Sequence, residues 1–393
     1  MNISLFPSSF HPHFGGVEEL VRQLAHQLRR DGHVPTVFTN RWPKTLAADE
    51  SYEGLEIHRH VFRVPERRLR QYGGAMLYGP STRRTVRRQL RASSAEILHI
   101  QCVSSNAHYA LHAKRDLHLP LVVTLQGELT MDAGGLFQRS EFAQRLLRRV
   151  LDTAEVITAC SARTLADAED FYGSSFGDRG RVIFNAANTQ DFEMLAPNAH
   201  PRPYVLALGR MVRQKGFDTL LRAFASIPGD HDLLLAGDGP ERSALEALTA
   251  ELGLVGRIQF VGRADRERVG SLFKGCAFFV LPSQADEGLP VVCAEAMACG
   301  KAIVATRSGG TPEAVLHEQS GLIVEKSDVA GLAAAMRRVM MDPVLRDRFA
   351  AEGLSRSREF SWKTVAAKYD DAYRDAIRRV ERNRVTSRPA VRA

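Results

Sequence analysis

The sequence predicts an α/β protein of two tandem, Rossmann-like, doubly wound domains. Three observations carry this. The chain is 393 residues long, which suits two domains of roughly 100–200 residues each. Short apolar runs alternate with amphipathic stretches along most of it, the pattern of parallel strands joined by crossover helices. That alternation stops once, over 185–203, where Asn, Pro and His occur without an apolar period, and then restarts.

In the first series, 2–6 is a short apolar strand followed by Gly15-Gly16. Val17, Leu20, Val21, Leu24, Ala25 and Leu28 then recur at a helical period up to Arg30, and Gly32 ends that helix. Strands are predicted at 33–39, 55–62, 97–101, 121–125, 155–158 and 182–184, with helices at 82–91, 106–115, 141–153 and 162–171. In the second series, strands at 204–208, 232–236, 258–261, 277–281, 302–305 and 322–324 alternate with helices at 216–226, 240–252, 265–273, 291–299, 311–316 and 329–340. A last helix carries Trp362, Val365, Ala366, Tyr369, Ala372, Tyr373 and Ile377 on one side. The expected domains are 1–195 and 196–360, with a 361–380 helix packing back toward the first domain and a disordered basic tail over 381–393. Ligands of such sheets lie outside the carboxyl ends of the strands, so the two domains are expected to face a central cleft.

Composition narrows the function classes. A hydrophobic fraction of 44% and a charged fraction of 25% are globular values, which excludes collagen, coiled coil and disorder as overall descriptions. No run approaches the ~20 apolar residues of a membrane span. The first residues lack the basic segment and apolar core of a secretory signal. Cys102, Cys160, Cys276, Cys293 and Cys299 are odd in number and form no C-x-x-C pair. That argues against disulfide frameworks and zinc sites and fits a reducing cytoplasm.

The net charge is +8, and it is concentrated. Residues 57–95 hold ten arginines against the single acid Glu66. One reading is a solvated helix face. The other is a surface that meets an anion: a lipid headgroup, which would put the protein at the inner face of a membrane, an acidic glycan or a phosphorylated acceptor. No nucleic-acid-binding motif is present, so nucleic acid is not expected as a partner.

The chemistry concentrates in 287–300. Glu287 stands between the strand ending at Leu281 and a helix. Pro290 suits the first turn of that helix, and the N–H groups of Val291 and Val292 offer an anion site that the helix dipole favours. A diphosphate fits. Glu295 lies about a turn further in. Paired carboxylates accept hydrogen bonds from vicinal hydroxyls, so a sugar and a ribose are natural ligands; the plain alternative is a capped helix with two solvated glutamates. Arg210 and Lys215 follow the first strand of the second series, where cations neutralise the charge on a departing diphosphate. Gly15 and Gly16 permit close backbone approach to a ligand at a helix start.

These residues resemble a family. The chain is similar, from residue 1 to about 380, to retaining glycosyltransferases of the GT-B fold, family 4 type, also called glycosyl transferases group 1. GRMVRQKG, LLLAGDGPE, FVGRAD, FVLPS, EGLPVVCAEAMACGKAIVAT, GGTPE and GLIV occur in family order, with Glu287 and Glu295 as an E-x7-E pair. The resemblance implies transfer of a hexosyl group from a nucleoside diphosphate sugar to an acceptor hydroxyl or amine, with retention of anomeric configuration. UDP is the first expectation for the nucleotide and GDP the second. No metal is implied, and no cofactor beyond the nucleotide-sugar co-substrate. Glu295 would bind the donor ribose and Glu287 a hydroxyl of the transferred sugar. Arg210 and Lys215 would hold the diphosphate. The stretch Gly288, Leu289, Pro290 and Val291 would hold phosphate and sugar, Arg263 would lie near the base, and Gly15-Gly16 would close from the other domain.

One departure matters. Thr124-Leu125-Gln126-Gly127 has glutamine where such enzymes often carry T-x-H-G, and Gln101 stands where a second histidine is frequent. Gln126 cannot act as a general base. It can orient a sugar hydroxyl, and in a front-face reaction the leaving phosphate takes the acceptor proton. Glu128 and Asp132 are acceptor-binding candidates, or else loop carboxylates. The acceptor itself, a glycan, a lipid-linked sugar or a small natural product, is not legible. Two other classes share the scaffold: a sugar-nucleotide epimerase or hydrolase, and a non-catalytic membrane- or partner-binding subunit. Intact Glu287 and Glu295 weigh against the latter.

Other patterns have plainer readings. Asp230-His231-Asp232 precedes a strand away from the donor motifs and reads as a turn. His108 and His112 have a zinc-compatible spacing but no third ligand. Gly237-Asp238-Gly239 lacks the rest of a dinucleotide fingerprint, and no G-x-S-x-G is present.

Overall fold

Every residue of Ile97–Gln101 and Leu121–Leu125 is buried, as expected of strands inside a parallel sheet that helices cover on both faces. The computed structural model describes residues 1–13, 15–65, 69–130, 135–189 and 192–386. The chain divides into two units, Met1–Ile183 with Val365–Ala393, and Phe184–Thr364.

The first unit runs β1 (Asn2–Pro7), α1 (Gly16–Arg30), β2 (Val34–Asn40), β3 (Asp49–Tyr52), β4 (Leu55–His60), α2 (Leu69–Ala92), β5 (Ile97–Gln101), α3 (Ser105–Leu117), β6 (Leu121–Leu125), α4 (Leu136–Arg139), α5 (Glu141–Thr153), β7 (Val156–Ala159), α6 (Ala162–Tyr172) and β8 (Gly180–Val182). Its eight-stranded sheet has the order β3-β4-β2-β1-β5-β6-β7-β8. All pairs are parallel except β3 with β4. The order reverses beside β1, the switch point at which such sheets open a crevice.

The second unit runs β9 (Tyr204–Leu208), α7 (Phe217–Ala225), β10 (Asp232–Ala236), α8 (Arg242–Glu251), β11 (Ile258–Gly262), α9 (Arg266–Gly275), β12 (Phe278–Leu281), α10 (Val291–Ala298), β13 (Ile303–Thr306), α11 (Thr311–Ala314), β14 (Gly321–Val324), α12 (Val329–Met341) and α13 (Pro343–Ser357). Its six parallel strands are ordered β11-β10-β9-β12-β13-β14, with the switch point between β9 and β12. The last helix, α14 (Trp362–Thr386), starts in this unit, and from Val365 it belongs to the first.

Several expectations need correction. The edge strand β3, sequence DESY, has no apolar alternation to reveal it. α2 begins at Leu69 rather than at 82, because Gly73, Gly74 and Pro80 disguise its first half. α13 was not expected. Its start is nonetheless written locally, since Asp342 accepts from the Leu345 N–H and Pro343 fills the first turn. α14 passes the expected end at 380, and Arg384 Nη2 donates to the His118 carbonyl at 2.8 Å. The remainder of the tail expected to be disordered, 387–393, lies outside the described residues.

The unit boundary falls at 183/184 instead of 195/196. The stretch that reads as a linker packs on α9. Lys274 Nζ donates to the carbonyls of Glu193 and Leu195 at 2.6 and 2.7 Å, and the Asn198 N–H donates to the Ser271 carbonyl at 2.8 Å.

The ten-arginine window is not one surface. Arg59 is buried, 2.5 Å from Glu50, and donates to the His11 carbonyl at 2.7 Å. Arg83 Nη2 donates to His108 Nε2 at 3.0 Å, and Arg115 Nη2 to His112 Nδ1 at 3.2 Å. These histidines accept from guanidinium groups, and the described residues contain no group of three or more metal-ligating side chains. Asp232 starts β10 and pairs with His200 at 2.7 Å and Arg202 at 2.6 Å.

A buried polar network fixes α14 to the first sheet. His99 Nδ1 lies 2.7 Å from the Tyr373 hydroxyl, and its Nε2 lies 2.7 Å from Thr124 Oγ1. Burial lowers the His99 pKa to about 3, so the folded state keeps this ring neutral where the unfolded chain protonates it. Between pH 6.5 and about 3 the unfolded state therefore binds the extra proton, and stability falls as pH falls. The slope from one such group is at most about 1.4 kcal/mol per pH unit. Denaturant titrations from pH 7 to 4 are expected to show this decline, and His99→Gln should lessen it, leaving the share of His60, His108 and His112, whose pKa values burial also lowers. A variant with the wild-type slope would remove His99 as the cause.

Candidate functional site

The loops after β9 and β12, at the switch point of the second sheet, are pressed together. Gly216 adopts φ +66°, and a Cβ there would sit 2.1 Å from the Pro282 carbonyl oxygen, so only glycine allows this approach. The N–H of Gln284 donates to the Gln214 carbonyl at 2.7 Å. The short turn Arg213–Lys215 thereby aims Lys215 at the second loop, where its Nζ lies 2.5 Å from Glu287 Oε1. Ser283 Oγ donates to the same oxygen at 2.6 Å.

The loop after β13 secures the main chain of Glu287. The Gly310 N–H donates to the Glu287 carbonyl at 2.8 Å. Gly309, at φ +50°, has no room for a Cβ, which would lie 2.1 Å from that carbonyl oxygen. The Gly309 N–H donates to Asp286 Oδ1 at 2.9 Å, and Lys326 pairs with the same carboxylate.

Gly288, Leu289 and Pro290 are buried as the chain enters α10. Pro290 is the N-cap rather than a first-turn residue, because its carbonyl accepts from the Cys293 N–H at 3.0 Å. Val291 and Val292 thus stand at the first two helical positions, whose N–H groups have no intrahelical acceptor. Glu295 lies one turn on and accepts from Arg266 Nη1 at 3.1 Å, while the guanidinium of Arg266 covers the Phe192 ring at 4.6 Å. The charges are clustered around Cys293. Its thiol pKa is driven up by burial and by Glu287 and Glu295, and opposed by Lys215.

Arg210 and Arg263 are both exposed and line one hollow of about 600 Å³ at the ends of β9, β10 and β11, with Gly209, Gly237, Asp238 and Gly239. In the first unit, Gly15 is the extended N-cap of α1 and Gly16 its first residue. The Gln126 N–H donates to Glu128 Oε2 and the Val103 N–H to Glu128 Oε1, each at 2.8 Å. Glu128 is buried, and burial raises its pKa against those two donors. Its carboxylate therefore ties the loops after β5 and β6 together. Asp132 lies outside the described residues.

Sequence reasoning passed over Ser283, Asp286, Lys326 and Arg266. Ser283 alone carried a signal: it closes FVLPS, two residues past the end of an apolar strand and four before Glu287.

The chain matches the model of the glycosyl transferases group 1 over 191–356 and that of glycosyltransferase family 4 over 14–191. It is 41% identical over 170 residues to the lipopolysaccharide core biosynthesis glycosyltransferase LpsD of Rhizobium meliloti, covering 43% of this chain and 48% of that relative. Over nearly full length, 96% of this chain and 99% of the relative, it is 26% identical to a GDP-mannose-dependent phosphatidylinositol monomannoside mannosyltransferase of Mycobacterium tuberculosis. Among solved structures, sucrose-phosphate synthase of Thermosynechococcus elongatus superimposes with a TM-score of 0.75 at 23% identity, covering 95% of this chain and 98% of that one. Anabaena HepE in complex with UDP gives 0.73 at 20% identity, covering 94% and 99%. Family models match both halves of the chain, and it has the two-sheet GT-B fold: the protein belongs to the GT-B glycosyltransferases of the group 1, family 4 type.

Proposed function

We propose that the protein is a retaining hexosyltransferase that uses a nucleoside diphosphate sugar, with UDP as the nucleotide. The observation that carries this is the Lys215–Glu287 pair, 2.5 Å apart, beside the first turn of α10 at a sheet switch point. The cation and the helix N–H groups meet the diphosphate, and the carboxylate meets a sugar hydroxyl. Arg210 adds a second cation, Arg263 lies by the base, and Glu295 takes the ribose. In the reaction, the acceptor oxygen bonds to the anomeric carbon on the face that the diphosphate leaves. The C–O bond to the diphosphate breaks with its electron pair, and a phosphate oxygen takes the acceptor proton. In this reading the charge on the leaving group is met by Arg210, Lys215 and the helix dipole, with no metal or further cofactor.

GDP is the second reading, favoured by the full-length relative named as GDP-mannose-dependent. Calorimetric titration with UDP, GDP and ADP separates the two. Binding of UDP alone is the expected result, GDP alone selects the second reading, and no binding of any nucleotide removes the donor site.

For the acceptor we propose a lipid-linked sugar met at an anionic membrane surface. Leu77, Arg84, Arg88 and Arg91 recur on one stripe of α2 and are all exposed, with Met76 and Tyr78 exposed beside them. No helix among the described residues is long and apolar enough to cross a membrane. At about 1 kcal/mol per basic residue, replacing Arg84, Arg88 and Arg91 with Gln should weaken sedimentation with phosphatidylglycerol vesicles about a hundredfold. Equal sedimentation of variant and wild type would return α2 to a solvated face.

A further inference from the structure

We infer that Ser283 is a positioning residue for Glu287, and through it for the transferred sugar. The inference rests on the proposed role of Glu287 as acceptor of a sugar hydroxyl.

Ser283 is fully buried just past the end of β12. Its Oγ and the Lys215 ammonium both donate to Oε1 of Glu287, at 2.6 and 2.5 Å. Among the described residues no protein donor reaches Oε2. Two donors on one oxygen set the plane of the carboxylate and leave the other oxygen for a ligand hydroxyl. Ser283 is itself held, because the buried Thr306 donates from Oγ1 to the Ser283 carbonyl at 2.6 Å. With the Gly310 N–H on the Glu287 carbonyl, the end of β13 and the loop that follows it fix the two ends of the short segment 283–287.

The two donors differ in what happens when a diphosphate arrives. Lysine is a point charge on a flexible stem, and a multiply charged anion competes with a single carboxylate for it. Serine carries no charge and is enclosed, so the ligand has nothing with which to draw it away. Ser283 is therefore the donor that still holds Glu287 in the loaded state. The hydroxyl matters through direction: without it, Glu287 keeps its charge and its backbone position but loses the constraint that turns Oε2 toward the sugar.

The test measures the sugar increment, the factor by which a nucleotide sugar binds more tightly than its bare nucleotide. UDP with UDP-glucose and GDP with GDP-mannose are titrated into wild type, Ser283→Ala and Ser283→Thr, and release of the nucleoside diphosphate is followed in parallel. Ser283→Ala should bind the nucleoside diphosphate within about threefold of wild type, while the sugar increment or kcat falls about tenfold, the effect of one hydrogen bond to a charged group. Ser283→Thr, which keeps the hydroxyl, should recover most of the loss. An unchanged increment and kcat in Ser283→Ala would overturn the inference. So would an equal loss of bare nucleotide binding, which marks a packing role. If the wild type itself binds no nucleotide, the donor-site reading fails first and takes the Ser283 role with it.

Discussion

Glu287→Ala should lower kcat at least a hundredfold while nucleoside diphosphate binding stays level or tightens. The fall has the size seen when one oriented polar group is removed from a reacting centre. The direction of the binding change comes from the pair itself. Lys215 Nζ sits 2.5 Å from the Glu287 carboxylate. With the carboxylate gone, the ammonium has no competing anion and is available to the diphosphate at all times. A variant that binds UDP or GDP as well as wild type yet releases nothing from the nucleotide sugar would separate sugar orientation from nucleotide capture. Steady-state release of nucleoside diphosphate, measured beside calorimetry, reads both quantities on one preparation. Full turnover in the variant would remove Glu287 from the reaction.

Glu295→Ala should show the opposite split. Its carboxylate is assigned to the ribose, which every nucleotide carries, so the loss appears in bare nucleotide affinity. Hydrogen bonds to a charged acceptor contribute about 1.5–3 kcal/mol each, and two vicinal hydroxyls predict a loss of a hundredfold or more. Arg266, which donates to Glu295 at 3.1 Å, loses that carboxylate partner in the variant. Glu295→Gln keeps the shape and one acceptor oxygen, and its intermediate affinity would attribute the effect to charge as well as to contact. Unchanged UDP and GDP affinity in Glu295→Ala would place the ribose elsewhere.

What could be read in advance follows from how locally each feature is written. The parallel strands were legible because burial on both faces makes them continuous apolar runs. β3 was not, since the antiparallel edge strand DESY has no apolar alternation, and its pairing to β4 and the contact of Glu50 with Arg59 exist only in the fold. The first half of α2 was hidden by glycine and proline, whose local preferences a helix of 24 residues overrides. At the site, Glu287, Glu295, Arg210 and Lys215 were nameable because their spacing follows a strand end and a helix start. Ser283 was not given a role, because a serine shows the direction of its hydroxyl only once the neighbouring carboxylate is in place. Arg266 reaches Glu295 across 29 positions of sequence, a distance no local pattern spans. The window of arginines sorts itself only in the fold, for a related reason: position along the chain does not separate a guanidinium on a strand inside the sheet, Arg59, from those on the outer stripe of α2.

The return of α14 sets an order for folding. His99 meets Tyr373 across 274 positions of sequence, and Arg181 meets Asp375 across 194. The second unit, by contrast, is continuous from Phe184 to Thr364. Domains commonly fold as units while the ribosome is still adding residues, the earlier before the later. Here the later unit has all its parts first. The sheet translated first must wait, with the polar face of β5, β6 and β7 uncovered, until residues 365–386 have left the ribosome. Its nascent form is thus the species with an open flank, and the last helix closes it.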